Sequence, residues 1–307
     1  MTEILFNTLD VAKMLQVDKS TVKRWTDEGK LKCFRTPGGH RKFRAEDLYQ
    51  FMSEYNYGIS PINLYPQFAT DEAIIRRIIA KKEFNVLANV CFSGAINGRK
   101  DEIVKLFTEV YKNGMSLPVL FDEILRPTMK RIRGLNASAK LTSAEMQLAF
   151  NALSNAIILL SDAIVKATPN GKRAICATTE GDMQDIELKA LAVLLESEGY
   201  DVLNLGVNAT TATINQLVST KQPQFVFLLS STVYNKTSFI QQHEAIFSST
   251  QSAGARLIIG GSAFSSNTVS QEFGFHYDRH CSSFRDFAAV QHNGFAPQSA
   301  INATRTY

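Results

Sequence analysis

Three carboxylates, Asp182, Asp185 and Glu187, fall where an apolar strand gives way to a helical stretch in "GDMQDIELKA". Such a cluster can hold a divalent cation or serve as general acid and base. It equally suits the first turn of a helix, where the dipole favours negative charge, and capping is the simpler role. Gln184 lies between them and brings an amide, a poor metal ligand. A second candidate is His276 and His280 beside Cys281. Their spacing would align two imidazoles on a helix, but in a strand and loop it fixes no common face. The third candidate is basic. Lys19, Lys23, Arg24, Lys30, Lys32, Arg35, Arg41, Lys42 and Arg44 crowd residues 19 to 44, against Asp27 and Glu28 alone.

That charge sits on a recognisable scaffold. "TLDVAKMLQVDKSTVKRWTDEGKL" reads as two short helices with a tight turn, Val11, Ala12 and Leu15 forming one apolar face and Val22 and Trp25 the other. Asp18 is placed to cap the second helix. In a helix-turn-helix the second helix enters the major groove by its N-terminal end, which puts Ser20, Thr21, Lys23 and Arg24 near base edges and phosphates. Pro37-Gly38-Gly39 then turns a β-hairpin wing. Arg35, His40, Arg41, Lys42 and Arg44 flank its tip, where they can meet phosphate oxygens. This arrangement with its "RTPGGHRKF" wing resembles the MerR family of bacterial transcription regulators over roughly residues 5 to 52.

Composition sets the frame. The 307 residues are 45% hydrophobic and 20% charged, ordinary for a water-soluble chain of two or three domains. No apolar run approaches the roughly 18 residues of a membrane span, and the first residues carry neither a basic nor an apolar signal segment. Cys33, Cys91, Cys176 and Cys281 are widely spaced, which argues against disulfides and a structural zinc site. A reducing cytoplasm is expected.

The DNA-binding domain is expected over 1–56 and an uncharged linker over 57–69. Helix formers dominate 70–168 and suggest a four-helix bundle, with breaks near Gly98, Gly114 and Gly134 and an interruption at Pro127. From 169 to 291 the pattern changes to short strands, "RAICATT", "YDVLNLG", "QFVFLLSS" and "ARLIIGG", with "FHYD" as a weak fifth, separated by helices. Alternation of this kind implies a five-stranded parallel α/β sheet of flavodoxin type, with its ligand site at the carboxyl ends of the strands. Residues 292–307 are expected to form a flexible tail.

The order of domains resembles the cobalamin-dependent photoreceptor repressors of the MerR family, and the α/β part resembles the cobalamin-binding fold. That fold's signature is Asp-x-His-x-x-Gly, then Ser-x-Leu, then Gly-Gly. Here Asp182 to Glu187 match the first element, Ser230-Ser231-Thr232 the second and Gly260-Gly261 the third. The resemblance implies a cobalt-ligating imidazole where Gln184 stands, and open backbone where Glu187 stands. Thr232 replaces the leucine. In the bundle it implies a tryptophan and a Glu-His pair over the cofactor, where this chain has Leu135 and Glu145-Met146. A shift of register recovers neither half. The sole tryptophan is Trp25, and no histidine lies between His40 and His243.

The chain is therefore expected to bind double-stranded operator DNA as a homodimer or larger homo-oligomer, in the cytoplasm at the nucleoid, with no membrane partner. It is not expected to be an enzyme or a methyl carrier. No cofactor is expected, cobalamin being disfavoured, and the sensory module would answer to another small ligand, to a regulatory protein or to nothing. The alternative reading is a working adenosylcobalamin-dependent, light-responsive repressor with a different pocket.

Overall fold

A computed structural model describes residues 5–15, 17–55, 72–264 and 276–291. The expected linker and tail lie outside these residues. The chain divides into two compact units, Met1–Ala163 and Ile164–Tyr307.

The first unit opens with β1 (Leu5–Asn7), α1 (Thr8–Met14), α2 (Lys19–Asp27), β2 (Phe34–Arg35), β3 (Arg41–Arg44) and α3 (Ala45–Glu54). Asn7 starts α1. Its side chain accepts from the N–H groups of Leu9 and Asp10, while the Asp10 carboxylate accepts from the Asn7 N–H. Asp18 occupies the N-cap position of α2, but its side chain makes no capping bond. The strands form an antiparallel sheet in the order β1-β3-β2. Phe6, Val11, Leu15, Val22, Leu31, Phe43 and Phe51 fill the core beneath it, and Trp25 packs 5.0 Å from Phe51 between ring centroids.

The helical region holds α4 (Glu72–Lys81), α5 (Phe84–Ile96), α6 (Lys100–Lys112), α7 (Leu117–Leu120), α8 (Arg126–Ala137) and α9 (Ser143–Ala163). A π turn, Phe121–Leu125, joins α7 to α8 without a break. The bundle of four is there as α5, α6, α7–α8 and α9, and α4 packs against α5 and α6 as an additional helix. The break before α5 has no glycine or proline signal; Lys82 makes it by taking a φ of 59°. Pro127 does not interrupt its helix. The π turn absorbs the missing donor, and the Arg126 N–H reaches back five residues to the Phe121 carbonyl. Gly134 lies inside α8, and the turn instead comes at Ala139, with φ 55°.

The second unit is a five-stranded parallel sheet in the order β5-β4-β6-β7-β8. Its elements are β4 (Arg173–Thr178), α10 (Ile186–Ser197), β5 (Asp201–Gly206), α11 (Thr211–Lys221), β6 (Phe225–Leu229), α12 (Lys236–Ser252), β7 (Arg256–Gly260), β8 (Arg279–Cys281) and α13 (Phe284–Ala288). Both faces are covered, so the central strands are apolar throughout. Ile175, Val226, Leu228, Leu257 and Ile259 share a core with Ile214 and Val218 of α11 and with Phe239 and Ile246 of α12. The fifth strand is not "FHYD" but the polar triplet that follows it. Asp278 is engaged in entering that strand: its carboxylate accepts from the Leu257 N–H at 2.7 Å and from Arg256 at 2.9 Å. An edge strand needs less apolar sequence, so its hydropathy gave the wrong position.

Gly260 and Gly261 close the third signature element for reasons internal to the fold. Gly261 has a φ of +100°, and a Cβ there would lie 2.2 Å from the Ser230 carbonyl oxygen. A Cβ on Gly260 would lie 2.5 Å from the Phe287 ring. Gly261→Ala should therefore destabilise the α/β unit by about 3 kcal/mol through backbone strain and overlap. Urea unfolding of the full chain checks this, and a loss below about 1 kcal/mol would contradict it.

Candidate functional site

In the strand order of the second unit, β4 lies between β5 and β6, and the chain leaves β4 and β6 toward opposite faces of the sheet. This is the topological switch point where α/β sheets place ligands. Asp182, in the loop after β4, is the hub there. It is only 2% exposed. Its Oδ1 accepts from the Ser231 hydroxyl at 2.8 Å and from the Gln184 N–H at 2.9 Å, and its Oδ2 accepts from the Ser231 N–H. The two loops flanking the crevice are thus tied by one carboxylate. Its own carbonyl accepts from the Thr178 hydroxyl at 2.8 Å and the Asn208 N–H at 3.0 Å. Asn208 belongs to the loop after β5 and holds a φ of 55°, a conformation asparagine tolerates better than most. Its side chain accepts from the Gly181 N–H at 2.7 Å.

Ser230 sits one step deeper. It accepts a hydrogen bond from the Thr179 hydroxyl at 3.0 Å and is 1% exposed. Gln184 and Thr232 are exposed, and Glu187 is half-buried in the first turn of α10. Asp185 holds the N-cap position without a side-chain cap, and its carboxylate pairs with Lys189 one turn on. The three-carboxylate cluster is accordingly divided: Asp182 staples loops, while Asp185 at the N-cap and Glu187 in the first turn keep the expected place at the helix N-terminus, Asp185 pairing with Lys189 as well. Among the described residues no group of three histidines, cysteines or carboxylates could hold a metal ion. His276 faces Glu244 at 3.1 Å, and His280 lies on β8 with its Nε2 buried.

The bundle positions belong to the other unit. Glu145 caps α9: its carboxylate accepts from the Thr142 N–H and hydroxyl, at 2.8 and 2.7 Å, while its N–H donates to the Thr142 hydroxyl. Those bonds hold its carboxyl below the usual range. Leu135 and Met146 are half-buried, on α8 and α9.

On the helix-turn-helix, Ser20, Lys23 and Arg24 are exposed along α2 while Val22 and Trp25 face inward. Thr21 is half-buried. The wing turns at Thr36 to His40, closed by Thr36 N–H to the His40 carbonyl at 3.0 Å, with Gly39 at φ +79°. Arg35, His40 and Arg44 are exposed and Lys42 is half-buried. Arg41 differs from them. Its side chain is 15% exposed and its guanidinium meets Asp27, at the C-terminal end of α2, at 2.5 Å. This pair joins the wing to the second helix.

The sequence singled out Asp182, Gln184, Ser230 and Gly260-Gly261, and the structure gathers them at one end of the sheet. It missed Asn208, Thr178 and the part played by Ser231. Asparagine just after a strand and before the capping Thr210 was the available signal for the first.

Two parts of the chain match known domain families. Residues 5–55 match the helix-turn-helix domain family and residues 172–277 the B12 binding domain family. Monomethylamine corrinoid protein 2 of Methanosarcina mazei is 27% identical over 165 residues, covering 52% of this chain and 73% of that protein. The transcriptional repressor DcmR of Methylorubrum extorquens is 26% identical over 192 residues, covering 59% of this chain and 71% of that protein. The solved structure of the Methanosarcina barkeri monomethylamine corrinoid protein superposes with a TM-score of 0.54 at 19% identity, over 66% of this chain and 94% of that one. The α/β unit thus has the B12-binding fold. Its donor set does not fit a ligated cobalt, since position 184 offers an amide and the neighbouring Asp182 carboxylate is already bonded to three protein donors.

Asp182→Ala should cost about 3 kcal/mol, because it leaves buried donors of both loops unmatched. Ser231→Ala removes one hydroxyl donor and should cost about 1 kcal/mol. Chemical denaturation of the two variants ranks them, and equal losses would contradict the hub role.

Proposed function

We propose that this chain is a sequence-specific DNA-binding transcriptional regulator of the MerR type whose cobalamin-binding-like module no longer holds cobalamin. The observation that carries the second half is the Asp182 carboxylate. In a ligating module a neighbouring acid would orient an imidazole; here it accepts from Ser231 and the Gln184 backbone and ties the two loops to each other. Glu187, Leu135 and Met146 support the reading, since each replaces a group that the resemblance assigns to cofactor contact. The similarity to a transcriptional repressor and the match to a helix-turn-helix domain support the first half. The protein acts as a regulator rather than an enzyme or methyl carrier, on operator DNA in the cytoplasm, and responds to a different small ligand or a regulatory protein.

Two experiments test this. Duplexes selected from a random library report on affinity as salt is varied. Lys23→Ala, at an exposed phosphate-facing position, should flatten the dependence of log affinity on log salt by about 0.9. Arg41→Ala should lower affinity for all duplexes while leaving that slope unchanged, because its guanidinium is held by Asp27. A flattened slope for Arg41→Ala would make it a phosphate contact instead, and an unchanged affinity would remove the wing from the interface. In the second, DNA binding with added adenosylcobalamin is compared in darkness and in light. The two curves should coincide, whereas light-triggered release would establish the photoreceptor reading.

A further inference from the structure

The amino ends of β4, β5 and β6 border a cavity of about 790 Å³, at the opposite end of the sheet from Asp182. Every residue lining it belongs to the second unit. One wall is the segment before β4, which is laced to the end of α10. The Ala167 N–H donates to the Ser197 carbonyl at 3.0 Å, and the Asn170 N–H to that of Gly199 at 2.9 Å. Gly199 permits this approach: its φ is +85°, and a Cβ there would lie 2.3 Å from the Thr168 carbonyl oxygen. The cavity is thus built into the fold, and its size falls in the roughly 300–1,000 Å³ range of small-molecule sites.

Two features of the lining call for a ligand. The first is charge. Lys166 meets Glu196 at 2.8 Å and Arg173 meets Asp201 at 2.7 Å, so both carboxylates are matched. Lys172 pairs with no carboxylate among the described residues, which leaves one positive charge over. Beside it, the Gln224 side-chain carbonyl accepts from the Arg173 N–H at 2.6 Å, leaving its amide NH2 as a donor. The second feature is a hydroxyl. Tyr200 is 6% exposed, with its ring edge-on to Phe225. Its oxygen is closed to bulk solvent and has no hydrogen-bond partner among the described residues. A buried hydroxyl without a partner is costly, and each one in a native fold calls for a reason. Burial, then the Glu198 carboxylate, push its pKa up to about 12, so it stays protonated and able to donate.

We propose that this cavity is a binding site for a small hydroxylated carboxylate, of the sugar-acid or hydroxy-acid class, whose anionic group meets Lys172 and whose oxygens accept from Tyr200 and Gln224. One uncompensated positive charge selects a monoanion. The amides and paired ions around it suit a ligand carrying hydroxyls, since each hydroxyl both donates and accepts. The site is separate from the crevice at Asp182 and does not depend on how that crevice treats cobalamin.

Isothermal titration of the full chain with gluconate, glucuronate, glucitol and acetate tests this. At least one of the two sugar acids should bind in the millimolar range or tighter. Glucitol carries the hydroxyls without the charge, and acetate the charge without the hydroxyls. Each should bind at least about tenfold more weakly. Lys172→Met should weaken binding of the acid by about tenfold or more, and Tyr200→Phe by about tenfold through one lost hydrogen bond. Without ligand, Tyr200→Phe should unfold at the same urea concentration as the native chain or a higher one, because the deleted hydroxyl was unmatched. A lower midpoint would give that hydroxyl a structural partner and overturn the proposal. So would no heat with either acid, equal binding of either control, or native affinity in Lys172→Met or Tyr200→Phe.

Discussion

The second unit depends on one carboxylate. At the carboxyl end of a doubly wound sheet, loops leave adjacent strands in opposite directions and expose backbone N–H groups that need acceptors. Asp182 supplies them from a position 2% exposed, reaching the loop after β6 and its own loop with the side chain and the loop after β5 with its carbonyl. A buried charge is tolerable when its lone pairs are filled by donors, and here the protein fills them itself. In consequence the two loops are held to each other by the protein's own groups. The same geometry places Gly261 against the Ser230 backbone, so the Gly-Gly pair is required by the sheet whether or not a cofactor tail passes over it.

The first unit uses charge differently. Asp27 and Arg41 hold the wing against the second helix, while Ser20, Lys23 and Arg24 stand free of the core along that helix. Basic residues close in sequence thus divide into those that set the geometry of the interface and those that face outward from it. Counting charge alone cannot make that division, because it depends on which guanidinium is buried against its acid: Arg24 and Arg35 also approach Glu28 and Asp27, at 3.9 and 3.8 Å, but their side chains stay exposed.

Much of the fold was legible. The parallel strands announced themselves as short apolar runs because both faces are covered, and helices α10, α11 and α12 separate them as the alternation implies. The pattern failed where tertiary geometry decides. Pro127 is accommodated by a π turn, Lys82 makes a turn with no glycine, and β8 is polar because it lies at an edge. For the site, residue identity revealed that Gln184 and Glu187 depart from a cobalamin-ligating pattern. What the sequence left hidden was the destination of the Asp182 carboxylate, which is a contact across forty-nine positions of chain.

On the proposed reading this module does not hold cobalamin as a metal-ligating fold does. Equilibrium dialysis of the full chain against micromolar adenosylcobalamin in darkness, read by corrin absorbance, tests it most directly. No stoichiometric retention is expected, and no spectral change of the kind that follows replacement of the lower axial ligand. One corrin retained per chain under those conditions would contradict it.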